Sequence, residues 1–199
     1  QARVVERLGQ FGEARTISLI SIHEHDIPTE FPRETLALAK AAGPVALGQR
    51  TDLRDVPLVT IDPEDARDHD DAVWAAPDDD PKNPGGFRLL VAIADVAHYV
   101  HAGDALDREA EKRGNSVYFP DRVVPMLPEA LSADLCSLRE NEERACLAVR
   151  MIFDAQGRKR RHEFLRAIMR SAARLTYAEA QRCFDGKPDA KTKHLQNNI

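Results

Sequence analysis

Apolar and polar positions sort much of the chain after residue 56 into strands. "DAVWAA" (71–76) and "FRLLVAIADVAHYV" (87–100) read as two strands joined by the turn "PDDDPKNPGG", and the second is so nearly continuous in apolar residues that it belongs at the centre of a sheet. "ACLAVRMIFDAQGRKRRHEFLRAIMRS" alternates on both sides of "DAQG", the pattern of a β-hairpin. "PLVTID" is a short strand that delivers Asp62 at its end, and "NSVYFP" is extended.

Helical periodicity occupies the remainder. "FPRETLALAKAAG" predicts a helix with Pro32 in its first turn and Gly43 as its stop. "DALDREAEKRG" predicts a second, capped by Asp104 and ended at Gly114. "PEALSADLCSL" begins with Pro128 at a first helical position, and "TYAEAQRCFDG" opens on a capping box from Thr176 to Glu179. Together these elements predict an α+β fold, a mixed and mostly antiparallel sheet with flanking helices. The proline-, glycine- and acid-rich segment from Pro77 to Gly86 reads as a solvated loop.

Composition narrows the function classes. The 199 residues are 43% hydrophobic and 31% charged, enough for one sizeable core. No apolar run reaches membrane-spanning length, and "QARVVERLGQ" lacks the apolar centre of a signal peptide, so the expected location is the cytoplasm. The three cysteines, Cys136, Cys146 and Cys183, form no CxxC pair and suit reduced, buried thiols. A net charge of -5 argues against a basic nucleic-acid-binding module as a whole. It leaves room for a site where metal ions carry the positive charge.

"TIDPEDARDHDDAV" (60–73) raises that possibility, with six carboxylates in ten positions relieved only by Arg67 and His69. Two carboxylates about 4 Å apart repel by roughly 4 kcal/mol at an effective dielectric near 20. Such a cluster must be neutralised or splay into water. Asp62 arrives from one strand and Asp68, Asp70 and Asp71 lead into the next, so the loop can collect oxygen ligands, which select Mg²⁺, Mn²⁺ or Ca²⁺ over zinc or copper. A calcium EF-hand would need Gly and Glu where counting from Asp62 gives Arg67 and Val73. An acidic surface loop is the plain alternative, set against the cost of placing unpaired charge beside apolar strand residues. Two Mg²⁺ ions there would support in-line hydrolysis of phosphodiesters.

"TIDPEDARDHDDAVWA", "LLVAIADVAHYV", "LDREAEKRGNSVYFPDRVVPMLPEALSADLCSL" and "RSAARLTYAEAQ" together resemble the RNB catalytic domain of the ribonuclease II and ribonuclease R exoribonucleases, more closely the bacterial ribonuclease R type. The likeness runs in order from about Leu47 to Gln181. It implies processive, hydrolytic degradation of single-stranded RNA from the 3′ end to nucleoside 5′-monophosphates with Mg²⁺, Mn²⁺ being a substitute, by a protein that is a monomer at full length. The family's four active-site aspartates match Asp62, Asp68, Asp70 and Asp71. Asp62 and Asp71 are the expected principal ligands of one metal, with Asp68 and Asp70 helping to hold the second metal and the attacking water. The tyrosine that lies near the terminal nucleotide matches Tyr118; read from its strand alone, it would be a packed core residue.

The resemblance also divides the chain. Residues 1–46 read as a lead-in segment and 47–199 as the N-terminal portion of the catalytic domain, which in the family continues past "KTKHLQNNI". The expectation is a fragment, weak or inactive by itself, of an active exoribonuclease. A catalytically silent RNA-binding protein of the same fold is the rival class. His98 and His101 read as a strand end rather than a zinc site. "RKRRH" (158–162) reads as solvated charge on a hairpin arm, and Arg166 and Arg170 carry no assigned role.

Overall fold

The computed structural model describes residues 3–4, 8–10 and 12–195; the stretches "QARVVERLGQ" and "KTKHLQNNI" lie partly outside the described residues. In chain order the elements are α1 (Ala14–Glu24), α2 (Arg33–Ala41), β1 (Thr51–Leu53), β2 (Val59–Asp62), β3 (Asp71–Pro77), β4 (Phe87–Ala94), α3 (Ala105–Arg113), β5 (Val117–Phe119), β6 (Arg122–Val124), β7 (Glu143–Phe153), β8 (Lys159–Arg170), β9 (Ala173–Thr176) and α4 (Tyr177–Phe184). They gather into two compact units, Gln1–Ala42 with Val100–Ser132 and Gly43–Tyr99 with Ala133–Ile199.

In the first unit, α2 and α3 pack together, with the buried Thr35 hydroxyl donating to the carbonyl of Ala105 at 3.2 Å. The start and stop of α3 follow its sequence signals. Asp104 accepts the Asp107 N–H at 2.8 Å, and Gly114 takes the left-handed φ of 77° that ends the helix. Arg113 ties this unit together. Its guanidinium lies 3.7 Å from the centre of the Phe31 ring, pairs with Glu109, and donates to the carbonyls of Pro28, Glu30 and Pro125. Strands β5 and β6 form a separate two-stranded ribbon that carries Tyr118 opposite Val123.

The second unit is built on a seven-stranded sheet in the order β1-β8-β7-β4-β3-β2-β9. Only β1–β8 and β2–β9 are parallel, so the sheet is mixed and mostly antiparallel, as the alternation predicts. Strand β4 is central, but its two faces differ: Leu90, Ala92 and Ala94 are buried while Ile93 is 53% exposed. It is also shorter than its apolar run. Asp95 turns the chain into a single 3₁₀ turn, Val96–His98, and its buried carboxylate pairs with Arg50 at 2.7 Å and Arg166 at 3.3 Å. Val59, Ala173, Leu175 and Leu195 form a buried cluster beneath β2 and β9, each large side chain worth roughly 1.5–3 kcal/mol of transfer free energy.

Two expectations need correction. The helical turn from Pro128 does start, with Leu131 and Ser132 donating to the Pro128 carbonyl, but it widens at once into a π-turn at Leu131–Leu135. The acidic loop between β3 and β4 is not simply solvated: Asn83 is 5% exposed and donates its amide to Asp78 Oδ2 at 2.8 Å and to the Phe153 carbonyl at 2.9 Å. A side chain folded into the loop in this way fixes it against β7.

Candidate active site

The β2–β3 connection holds the acidic run at one end of the second unit's sheet. Asp62 is the last residue of β2, opposite Thr176 of β9, and Asp71 is the first residue of β3, opposite Ile93. Between them the backbone is pinned at several points. Ala66 N–H donates to Pro63 at 3.1 Å, Leu138 N–H to His69 at 2.7 Å, and Ala94 N–H to Asp70 at 2.9 Å. The Ser137 hydroxyl accepts from the His69 N–H and donates to the Arg67 carbonyl. Loop carbonyls and amides that would otherwise compete for water are thus satisfied by the 137–138 segment and the end of β4.

This scaffold brings the four aspartates into one electrostatic neighbourhood. The Asp70 carboxyl is raised from its ordinary value of 3.8, first by the protein mass around it and then by the negative charges of Asp68, Asp71 and Asp62, with His69 opposing. The side chain is nonetheless at the surface, as is that of Asp71. Asp62 is partly enclosed, its side chain 15% exposed and its Oδ2 2.7 Å from Nδ1 of His69.

The donor set is oxygen from four carboxylates, which suits a hard divalent cation, and the charge crowding on Asp70 is of the sign that a cation relieves. Among the described residues, however, no group of three or more acidic, histidine or cysteine side chains is arranged to hold a metal ion. The set fits a divalent cation by donor chemistry and charge rather than by a preformed geometry.

A cleft of about 450 Å³ opens beside Asp62, lined also by Thr176, Tyr177, Glu179 and Arg182, a size that accommodates a nucleotide-sized group. The capping box fixes its far wall: Thr176 accepts the Glu179 N–H and Glu179 accepts the Thr176 N–H. The first residues of α4 were legible as a helix start, but nothing in the sequence placed them next to Asp62. Their neighbour relation comes from the parallel β2–β9 pairing.

Tyr118 lies in the other unit and is 63% exposed, not a packed core residue. No motif in the sequence singles out Phe164. It is 68% exposed, in edge contact with the His162 ring at 5.4 Å. The register Val73–Val91–Val149–Phe164 lies two residues from Asp71–Ile93–Leu147–Arg166, so Phe164 shares the sheet face of Asp71. Arg158 to His162 are exposed, as expected for solvated charge, with Arg160 3.8 Å from Asp154. His98 sits in the turn after β4, its ring edge-on to Tyr99.

Residues 50–199 match the RNB domain family model. The chain belongs to the RNB family. Ribonuclease R of Escherichia coli strain K12 is 43% identical over 205 residues, covering 98% of this chain and 25% of that protein. This RNB chain also superimposes on solved structures of Mycoplasma genitalium RNase R. One, in complex with ribose methylated single-stranded RNA, has a TM-score of 0.82 at 33% identity over 92% of this chain and 28% of that one. Another, with double-stranded RNA, has the same TM-score and identity and covers 92% and 32%. The RNB chain thus spans about a quarter of the length of the ribonuclease R relatives it matches. Among the described residues no helix is long and apolar enough to cross a membrane.

Proposed function

We propose that this chain carries the catalytic aspartates of a Mg²⁺-dependent, hydrolytic 3′-to-5′ exoribonuclease that degrades single-stranded RNA to nucleoside 5′-monophosphates. The observation that carries the reading is the placement of four aspartates at one end of the sheet of an RNB chain, Asp62 closing β2 and Asp68, Asp70 and Asp71 leading into β3. Asp62, Asp68, Asp70 and Asp71 would hold divalent cations, which when bound supply Lewis-acid stabilisation of charge on the attacking and leaving oxygens. Mn²⁺ would fill the same role with the same ligands.

The chain's own residues do the positioning. Asp62 and Asp71 enter from two strands of one sheet, so their separation is fixed by strand pairing rather than by a mobile loop. Asp68 and Asp70 complete the site and orient the attacking water. The cleft beside Asp62 receives the terminal nucleotide, and Tyr118 contributes a π-face that holds a base by stacking, a contact of about 1–3 kcal/mol. The buried, free cysteines Cys136, Cys146 and Cys183 suit the reducing cytoplasm, and the full-length protein acts there as a monomer.

The test is RNA labelled at either end. Single-stranded RNA with a 3′ label should release that label at once as mononucleotide, whereas a 5′ label should persist until the strand is consumed. EDTA and Asp70→Asn should each abolish both. RNA that is bound but left intact would favour the silent RNA-binding reading.

A further inference from the structure

We propose that His69 is a positioning residue that fixes the carboxylate of Asp62 for cation binding, a role that rests on the cation-dependent reading of the site given above. Asp62 stands apart from the other three aspartates. It arrives on β2, six residues before Asp68, and its carboxylate needs a partner to set its rotation. His69 supplies one, with Nδ1 2.7 Å from Asp62 Oδ2.

The imidazole can do this because it is itself immobile. His69 is 5% exposed, and both its backbone groups are taken: the N–H donates to Ser137 Oγ at 3.1 Å and the carbonyl accepts the Leu138 N–H at 2.7 Å. Ser137 is fully buried and also donates to the Arg67 carbonyl at 3.3 Å. The ring is thus placed by a segment 68 residues away, not by the acidic loop alone. A carboxylate oxygen can only accept, so Nδ1 carries the proton and Oδ2 is held by a charge-assisted bond. That bond leaves Oδ1 as the oxygen that would be available to a cation. Partners of this kind, one step out from a metal ligand, alter cation affinity without touching the metal.

Atom position offers a sharp test. Asparagine carries its amide nitrogen on Cγ, where histidine carries Nδ1, whereas glutamine carries it one bond further out and phenylalanine fills the ring volume with no donor. Mn²⁺ binding to the full-chain protein, read as loss of the free-ion electron paramagnetic resonance signal, should weaken about 10- to 100-fold in His69→Phe. His69→Asn should recover most of that loss. In an Asp62→Asn background, adding His69→Phe should change nothing further, which a merely structural role would not produce.

If His69→Phe fails to fold by circular dichroism, His69→Gln takes its place and should weaken Mn²⁺ binding likewise. Wild-type affinity in His69→Phe or His69→Gln overturns the positioning role while leaving the cation site intact. A wild-type protein that takes up no Mn²⁺ overturns the cation reading itself, and this role with it.

Discussion

The backbone carbonyl of Asp70 accepts the N–H of Ala94 at 2.9 Å, which ties the most crowded carboxylate of the acidic run to the last residue of the central strand. Asp70 cannot leave its neighbours without breaking the sheet's end. Its carboxyl is raised by surrounding protein and by Asp68, Asp71 and Asp62, so in the cation-free protein its charged form opposes folding. The folded state holds the proton to higher pH than the unfolded one. Stability should therefore fall as pH rises through the interval above the ordinary value of 3.8, with the full penalty present at neutral pH. Asp70→Asn should raise the melting temperature at pH 7 without cation, leave it little changed near pH 3, and lose RNA hydrolysis by orders of magnitude. Melts at the two pH values, paired with an activity assay, check this.

Asn83 and Gly86 make the β3–β4 loop a built structure. A Cβ on Gly86 would lie 2.1 Å from Asn83 Nδ2 and 2.6 Å from the Phe153 carbonyl. Gly86→Ala should cost about 2 kcal/mol or more through overpacking, and Asn83→Ala about 1–3 kcal/mol through the buried carbonyl left unpaired. Urea denaturation measures both, and neither change should abolish Mn²⁺ binding.

Asp95 is buried at the end of β4, paired with Arg50 at 2.7 Å. Removing one partner of a buried pair costs about 3–5 kcal/mol, so Asp95→Ala should be strongly destabilising, and Arg50→Ala should behave alike. A double variant less destabilised than the sum of the two, read from denaturation midpoints, identifies the pair as the unit that matters.

Much of this was readable in the chain. The central place of β4, the β7–β8 hairpin and the caps of α3 and α4 follow from short-range rules, and the structure obeys them. Other features were set at long range. Helix α1 mixes Thr16, Ile17, Ile20 and Ile22 in a pattern that serves strand and helix equally. Strands β1 and β9 are three and four residues long and exist because β8 and β2 pair with them in parallel. His69 read only as relief from like charge, since its meaning depends on Ser137, far away in sequence. The acidic cluster itself was legible because no core rule explains it.

Phe164 projects from the sheet face that also bears Asp71. An exposed aromatic ring there offers a stacking surface for a base, so Phe164→Ala should weaken single-stranded RNA binding by about 1–3 kcal/mol with little loss of stability. Fluorescence anisotropy of a labelled oligonucleotide in Ca²⁺, which should support binding without turnover, reads the difference.

Burial pushes the Cys136 and Cys146 thiols up to about 12. Neither should react with iodoacetamide at pH 8 in the folded protein, because the thiolate is the reactive form. Both should react after unfolding in urea, as mass spectrometry of the alkylated peptides would show.

The central claim is that the acidic cluster serves hydrolysis of RNA phosphodiesters, and isotope transfer from water tests it most directly. Single-stranded RNA digested by the full-length protein with Mg²⁺ in H₂¹⁸O should yield nucleoside 5′-monophosphates carrying one ¹⁸O in the phosphate of each, and Asp70→Asn should yield none. Products without ¹⁸O, cyclic phosphates, or equal digestion by the Asp70→Asn protein would contradict the account.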